Sequence, residues 1–397
     1  MRKALAILLL STLGLVSFGL VVLASASTAR SLAETHGRTA SFYLDRQFVW
    51  LGISVALALV ARYFDYRKWR TVKWLAPALF AVVAVLLAIT VLPRLHPALQ
   101  RGMHSFARDI NGSYRWLDFG PIRLQPGELA KLVAVICLAV WIDKIGSRVL
   151  SFLKGAVFPA AILLIYVALL VAEPDFGSTM VVCVVGFALM FYGGVKFLHI
   201  AGLGASLTAG VSFLIAMNEN RRQRLLAWLA GNDSGSPGMH SRSVYQLEHS
   251  QRAISNGGVW GVGFGESMQQ RLYLPEPHTD FIFAIGAEEW GLPFSLGTLA
   301  LVILWVGAGT YIAVNAADRF GRFIAFGMTY LIGFQAVFNM SVVCGTVPTK
   351  GLAMPFMSYG GTNMMVAMIA TAMIFNVGAR ALREREDAAL RVGITRI

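Results

Sequence analysis

Charge is scarce in this chain: Asp, Glu, Lys and Arg make up only 14% of its 397 residues, against 56% hydrophobic ones. A soluble domain carries about a quarter charged residues, so this composition, with a mean hydropathy of +0.63, excludes a solvated globule. Cysteine is scarcer, with three residues, Cys137, Cys183 and Cys344. An odd set without paired spacing supports neither a disulfide framework nor a Cys/His metal site. Two lie within apolar runs and the third near the end of one, so all three read as buried small hydrophobes. No glycine-rich nucleotide loop and no internal repeat is evident, so nothing points to a bound nucleotide, and nucleic acid is not an expected partner.

What the chain has in abundance is long apolar runs. Crossing a hydrocarbon core of roughly 30 Å takes about 20 apolar residues, and about ten such runs can be placed. Their limits are near 4–24, 48–63, 74–93, 128–146, 156–172, 177–194, 197–216, 292–313, 323–342 and 361–379. The runs are continuous rather than alternating, and each must satisfy its own backbone, so the expected fold is an all-α polytopic membrane protein. The first run, flanked by Arg2, Lys3 and the segment Ala24 to Ala26, has some marks of a signal peptide but is long for one, and reads as a retained helix.

An even number of spans starting inside puts both termini and the turns near 62–73, 143–156, 194–196, 315–322 and 380–397 in the cytoplasm. Lys and Arg then divide into about 18 inside and about 16 outside, but the inside ones occupy the short turns that set topology. The chain becomes one integral membrane domain, 1–397, with a large extracytoplasmic loop at 217–280 between the seventh and eighth spans and a cytoplasmic tail at 380–397. The net charge of +13 suits an anionic ligand and equally suits plain solvation of loops.

Four places on the outer face carry polar chemistry. Tyr114, Arg115 and Trp116 lie in the loop at 94–127, which enters the fourth span at Pro126; Glu128 and Lys131 then fall one turn apart on one helical face. These residues fit an interfacial anchor with a self-compensating ion pair, and they fit a polar patch in the mouth of the bundle. Glu173 and Asp175 bracket Pro174 in the short fifth-to-sixth turn, a tight turn or a second pair of carboxylates. The large loop carries an interfacial amphipathic stretch at 221–228, a flexible connector at 231–238, a helical piece at 245–254 and five glycines between Gly257 and Gly265 that permit close approach of backbone to something.

The loop ends in the third place, Leu274 to Ala284, where Glu276, His278 and Asp280 precede an apolar run. Thr279 can cap that run and place Asp280 in its first turn, where free N–H groups favour a carboxylate. The stretch 281–313 is too long for one crossing; Gly291 and Pro293 divide it into a shorter piece bearing Glu288 and Glu289 and a true span, and broken backbone at membrane depth belongs beside a polar cavity. In the fourth place, Gln335 and Asn339 share a helical face suited to interhelical hydrogen bonds. The non-helical stretch from Val347 to Gly361 follows, able to aim Lys350 and backbone N–H groups at an anion. Gly202, Ser206 and Gly210 mark a close helix contact.

Pro275 to Ala284 with Glu288 and Glu289, Arg115-Trp116 with Gln125 to Lys131, and Pro348 to Gly351 with Ser358 to Gly361 together resemble the SEDS family, the polytopic peptidoglycan glycosyltransferases of elongation and division. The resemblance runs in order from about residue 110 to 380, and the tetrapeptide Pro348 to Gly351 leans toward the division branch. Thr346 stands where the family usually has an aliphatic residue and Asn363 where it has a small one. The resemblance implies polymerisation of lipid II, a disaccharide-pentapeptide on undecaprenyl pyrophosphate, at the outer face of the bacterial cytoplasmic membrane, at the division site. Asp280 becomes the general base; Arg115, Lys131 and Lys350 the cations that stabilise the departing pyrophosphate; Glu128 and Glu288 the groups that hold those cations or a divalent ion, Mg²⁺ or Mn²⁺. Trp116, Glu276, His278 and Ser358 join the substrate-binding set. Implied partners are a class B penicillin-binding protein transpeptidase and other divisome proteins. Three other readings remain: an elongation-type polymerase of the same family, a flippase of lipid-linked sugar, disfavoured because the ionisable residues sit near one face and no repeated halves appear, and a non-catalytic division scaffold. The tail from Arg380 to Asp387 alternates in charge, as a solvated helix or a docking segment would.

Overall fold

Backbone groups in lipid must bond within their own segment, and nearly every element of this chain is a helix. The computed structural model describes residues 1–95, 107–110, 113–120, 122–217, 222, 242–271, 273–348 and 351–394. The expected connector at 231–238 and, apart from residue 222, the amphipathic stretch at 221–228 lie outside the described residues, as does Lys350.

All ten apolar runs lie in helices. In chain order these elements are α1 (Arg2–Ala26), the short α2 (Thr28–Glu34), α3 (Phe42–Tyr63), the single turn α4 (Lys68–Thr71), α5 (Leu75–Leu95), α6 (Pro126–Ile145), α7 (Phe158–Ala172), α8 (Phe176–Tyr192), α9 (Phe197–Ala216), α10 (Arg242–Gly257), α11 (Ile282–Val314), α12 (Arg319–Val343) and α13 (Gly361–Ile394). Among the described residues seven helices are long and apolar enough to cross a membrane, α7 together with the π-helical turn Phe152–Val157 that leads into it; α8 and α9 are shorter apolar helices. The helix α6 has a spanning length of 20 residues but carries Glu128, Lys131, Asp143 and Lys144. Helix α13 packs against α3 and α12, and α1 against α11, around a core that runs through all of them.

The break expected near Gly291 is present. The helix α11 from Ile282 to Val314 is two helices joined at a kink: Gly291 has φ 66° and ψ −149°, a conformation open to glycine, so a nine-residue piece precedes the span proper. The loop before α6 departs from the all-helical expectation by forming a small antiparallel sheet, β1 (Ala107–Ile110), β2 (Ser113–Phe119) and β3 (Ile122–Leu124), with Leu117 opposite both Ala107 and Leu124. Buried Tyr114 and Leu117 seat this sheet on Leu86 and Ile89 of α5.

Two expectations are overturned. A Cβ added at Gly202 or Gly210 would meet nothing, so the small residues of α9 face open space, with Ser206 bonding back to the Gly202 carbonyl at 2.9 Å. Cys137 and Cys183 are buried, but Cys344 is exposed, because it caps the end of α12 where the chain leaves the bundle.

A candidate active site at one mouth of the bundle

Lys131 and Glu128 anchor the site from below. Pro126 opens α6 and puts the pair on one face, fully within protein, where Lys131 Nζ donates to Glu128 Oε1 at 2.6 Å and to Gln335 Oε1 of α12 at 2.8 Å. A cation in such a place is tolerable only when paired, and this one is paired twice. Gln335 passes the connection on, donating to the Ala353 carbonyl at 2.9 Å and to Asn363 Oδ1 at 3.0 Å. Asn363, one of the two departures from the family pattern, is therefore a buried link between α12 and the 351–360 loop.

Asp280 sits just before α11, half-buried, and its backbone is held from behind. Asn339 Nδ2 donates to the Asp280 carbonyl at 2.8 Å and to the Leu352 carbonyl at 2.6 Å, tying the two loops that meet there. Gly351 lies so close that a Cβ on it would stand 2.6 Å from Asp280 Oδ2. Ser358 is buried: its hydroxyl donates to the Thr279 carbonyl at 2.6 Å and accepts from the Met354 N–H at 2.7 Å, while the Tyr359 N–H donates to the His278 carbonyl at 2.9 Å. Ser358 thus fixes the segment bearing Asp280 rather than facing outward to a ligand. From α3, Gln47 donates to the Ser358 carbonyl at 3.2 Å, and the Gly360 N–H reaches Gln47 Oε1 at 3.4 Å.

Burial pushes the Asp280 carboxyl up to about 7, helped by negative charge on Glu276, Asp175 and Glu128 and opposed by Arg115. Among the described residues the structure therefore gathers four carboxylates around a single mouth, with the guanidinium of Arg115 and, beside Glu276, that of Arg30. Arg115 reaches it from β2, its Nη2 donating to the Pro174 carbonyl at 2.6 Å. Asp175 caps α8 by accepting from the Ser178 N–H at 3.1 Å, and Gly127 leaves it room, a Cβ there falling 3.1 Å from Asp175 Oδ2. Glu276, in the left-handed region at φ 56°, lies 4.0 Å from Arg30 of α2.

Other expected site residues have different surroundings. His278 is buried with its ring 4.5 Å from that of Tyr43 and near Tyr359; burial and Arg30 lower its pKa to about 4 against the pull of Glu34, so it is neutral at physiological pH. Trp116 is half-buried opposite Arg108 in the sheet. Glu288 is turned away from Asp280: it accepts from the Ser267 hydroxyl, from Asn256 Nδ2 at 3.2 Å and from the Gln269 N–H at 3.3 Å. Its neighbour Glu289 accepts from the Ser25 hydroxyl and from the Gly265 N–H at 3.1 Å. The residues do not fit a resident divalent ion as expected, since Glu128 is neutralised by Lys131, Glu288 serves the loop above, and no group of three His, Cys, Asp or Glu gathers as a ligand set among the described residues. Sequence reasoning missed Gln47, Tyr43 and Arg30 as parts of this mouth; the only signal was a polar run, Asp45 to Gln47, at the head of an apolar helix.

A many-helix membrane bundle with a broken helix and a cluster of carboxylates at one mouth is the class these features define. Residues 5–382 match the model of the FtsW/RodA/SpoVE family, described as cell cycle proteins, and the chain belongs to that family. It is 34% identical over 374 residues to a probable peptidoglycan glycosyltransferase FtsW of Geobacter metallireducens, covering 94% of both chains. With a protein of the same description from Nitrosococcus halophilus it shares 36% identity over 93% of this chain and 91% of the other. Among solved structures it resembles, with TM-score 0.73 and 26% identity over 94% of this chain and 97% of that one, a chain from work on structural coordination of polymerization and crosslinking by a peptidoglycan synthase complex. The rod shape determining protein RodA of Thermus thermophilus matches at TM-score 0.65 and 26% identity, over 94% and 95% of the two chains.

Proposed function

We propose that this chain is a peptidoglycan glycosyltransferase that polymerises lipid II at the outer face of the cytoplasmic membrane, for septal wall synthesis in division. The observation that carries this reading is Asp280: a half-buried carboxyl with a pKa of about 7, its backbone held by Asn339 and its side chain set beside Gly351 of the neighbouring loop. An acceptor sugar hydroxyl attacking an anomeric carbon must lose a proton, and a base with a pKa close to ambient pH takes it most effectively. Departing pyrophosphate gains negative charge, which Arg115 stabilises at the same mouth. Lys131, locked against Glu128 and Gln335, contributes its charge from within the wall rather than by contact. The polyprenyl tail lies along the apolar helix faces.

In this reading the loop at 217–280 is extracytoplasmic, and both termini and the tail at 380–397 are cytoplasmic. A class B penicillin-binding protein is the crosslinking partner within the divisome, a role supported by the likeness to a chain of a peptidoglycan synthase complex. The test is polymerisation of purified lipid II by the native chain and by Asp280→Asn, each alone and with the partner whose own glycosyl transfer is inactivated. Polymer from the native chain and none from a folded variant that still binds lipid II is the expected result. Equal polymer from both removes Asp280 from the reaction, and lipid movement across vesicles without polymer replaces this reading with a flippase.

A further inference from the structure

The glycines between Gly257 and Gly265 pack against the broken helix rather than a ligand. Val262 N–H donates to the Glu288 carbonyl and Gly263 N–H to the Glu289 carbonyl, both at 3.0 Å, and Leu292 N–H donates to the Val259 carbonyl at 3.1 Å. The first two bonds satisfy carbonyls, and the third an N–H, that the break at Gly291 would otherwise leave open. The approach is backbone to backbone: a Cβ at Gly257 would stand 2.0 Å from the Ala287 carbonyl oxygen, and one at Gly261 2.1 Å from that of Glu289. Glu288 and Glu289 then rivet the same segment through Ser267, Gln269 and Gly265.

This firmly held segment turns its side chains outward. Residues 257–265 carry no charge, and Val259, Trp260, Val262 and Phe264 are exposed, Trp260 by 83%. Bound this tightly from behind, they have no place in the core to return to. The patch continues without interruption into Trp290, Leu292 and Leu296, exposed on the outside of α11, which is a membrane-crossing helix.

Depth follows from length. From Leu292 to Val314, α11 has 23 residues, which at 1.5 Å per residue give about 34 Å, enough to cross a core of roughly 30 Å unaided. Gly291 therefore stands at one boundary of the hydrocarbon, and the segment bonded to it stands at the same level. An uncharged apolar segment with a tryptophan at its tip belongs there, where the ring sits among headgroups and its neighbours in the upper acyl chains.

We infer that residues 258–265 form a membrane-seated platform, with Val259, Trp260, Val262 and Phe264 inserted into the boundary of the leaflet on the Asp280 side, and bilayer lipid as their partner. The platform holds the broken end of α11, and with it the segment bearing Asp280, at a fixed depth.

The test uses the full chain, one copy per nanodisc of phosphatidylethanolamine and phosphatidylglycerol. Spin labels are placed through Val259→Cys, Val262→Cys, Phe264→Cys and, as reference, Glu266→Cys, with Cys137, Cys183 and Cys344 replaced by serine. The expected result is that oxygen relaxes the first three labels severalfold more effectively than an aqueous nickel chelate does, with the order reversed at position 266. Preference for the nickel chelate at the three apolar positions overturns the inference. So does shielding from both relaxants, which means packing within the chain, and so does exposure to water in nanodiscs with shielding only in native membrane vesicles, which means a protein partner. An independent arm needs no cysteine: lipid brominated near the headgroup should abolish most of the emission difference between the native chain and Trp260→Phe, and an unchanged difference overturns the inference as well.

Discussion

Asp280 is a carboxyl whose ionisation the fold opposes. Its pKa rises from 3.8 to about 7 on folding, so between those values the folded state binds the extra proton and stability falls as pH rises, reaching its lower level above pH 7. His278 has the opposite slope: lowered from 6.5 to about 4, it makes stability rise with pH across that window. Asp280→Asn should therefore raise the apparent Tm at neutral pH and expose the rising slope of His278 between pH 4 and 6.5 in thermal unfolding series. Polymerisation by the native chain should show an acidic limb near pH 7, and the Asn variant should lose about 10²–10⁴ in rate, as removal of a general base does. Asn339 acts on the same group through backbone. Asn339→Leu leaves the Asp280 and Leu352 carbonyls unpaired, at about 1–3 kcal/mol for an unsatisfied buried group, and should lower kcat more than it raises KM. The sequence displayed Asp280, Glu128 and Lys131 because charge in an apolar chain is conspicuous. It did not display what Ser358 and Asn339 do, because a hydroxyl or an amide declares its partner only when helices distant in sequence have packed.

Helix breaks and glycines show the same division at the level of elements. Gly291 and Pro293 announced a break by their own chemistry, and the break is there. The five glycines of the loop announced only that backbone would come close to something; that the something was the C-terminal end of the broken helix depended on tertiary pairing. Gly261→Ala tests it. With φ at +79° and a carbonyl 2.1 Å from the new Cβ, the substitution should cost more than about 1 kcal/mol and increase hydrogen exchange at Val262 and Gly263, read by mass spectrometry. The small residues of α9 misled because the spacing of Gly202, Ser206 and Gly210 fits a close crossing whether or not a second helix lies against it. The strands at 107–124 carried too few apolar positions to distinguish them from loop.

For the whole molecule, hydrophobic length alone located ten helices, since each must close its own hydrogen bonds in lipid before it meets another. How their far ends are fastened was open in the sequence, and the structure answers it for the tail. Arg67 pairs with Glu384 at 2.9 Å and Asp318 at 3.6 Å, Arg380 with Asp65 at 3.3 Å, and Arg2 with Glu386 at 2.6 Å, so α13 holds two other chain segments directly and a third, at Asp318, through Arg67. The exposed ones among these pairs, such as Arg2–Glu386, contribute about 0–1 kcal/mol each and are screened once the Debye length falls to about 3 Å near 1 M salt. High salt should therefore raise hydrogen exchange in the tail while leaving α12 protected. From Thr362, whose hydroxyl accepts from the Gln125 N–H at 3.0 Å at the other end, to Glu384 is 22 residues of the 34-residue α13, about 33 Å. Such an element is a stiff pushrod: under the proposed function, a protein that grips the tail pulls along one unbroken helix on the floor of the candidate site at its other end.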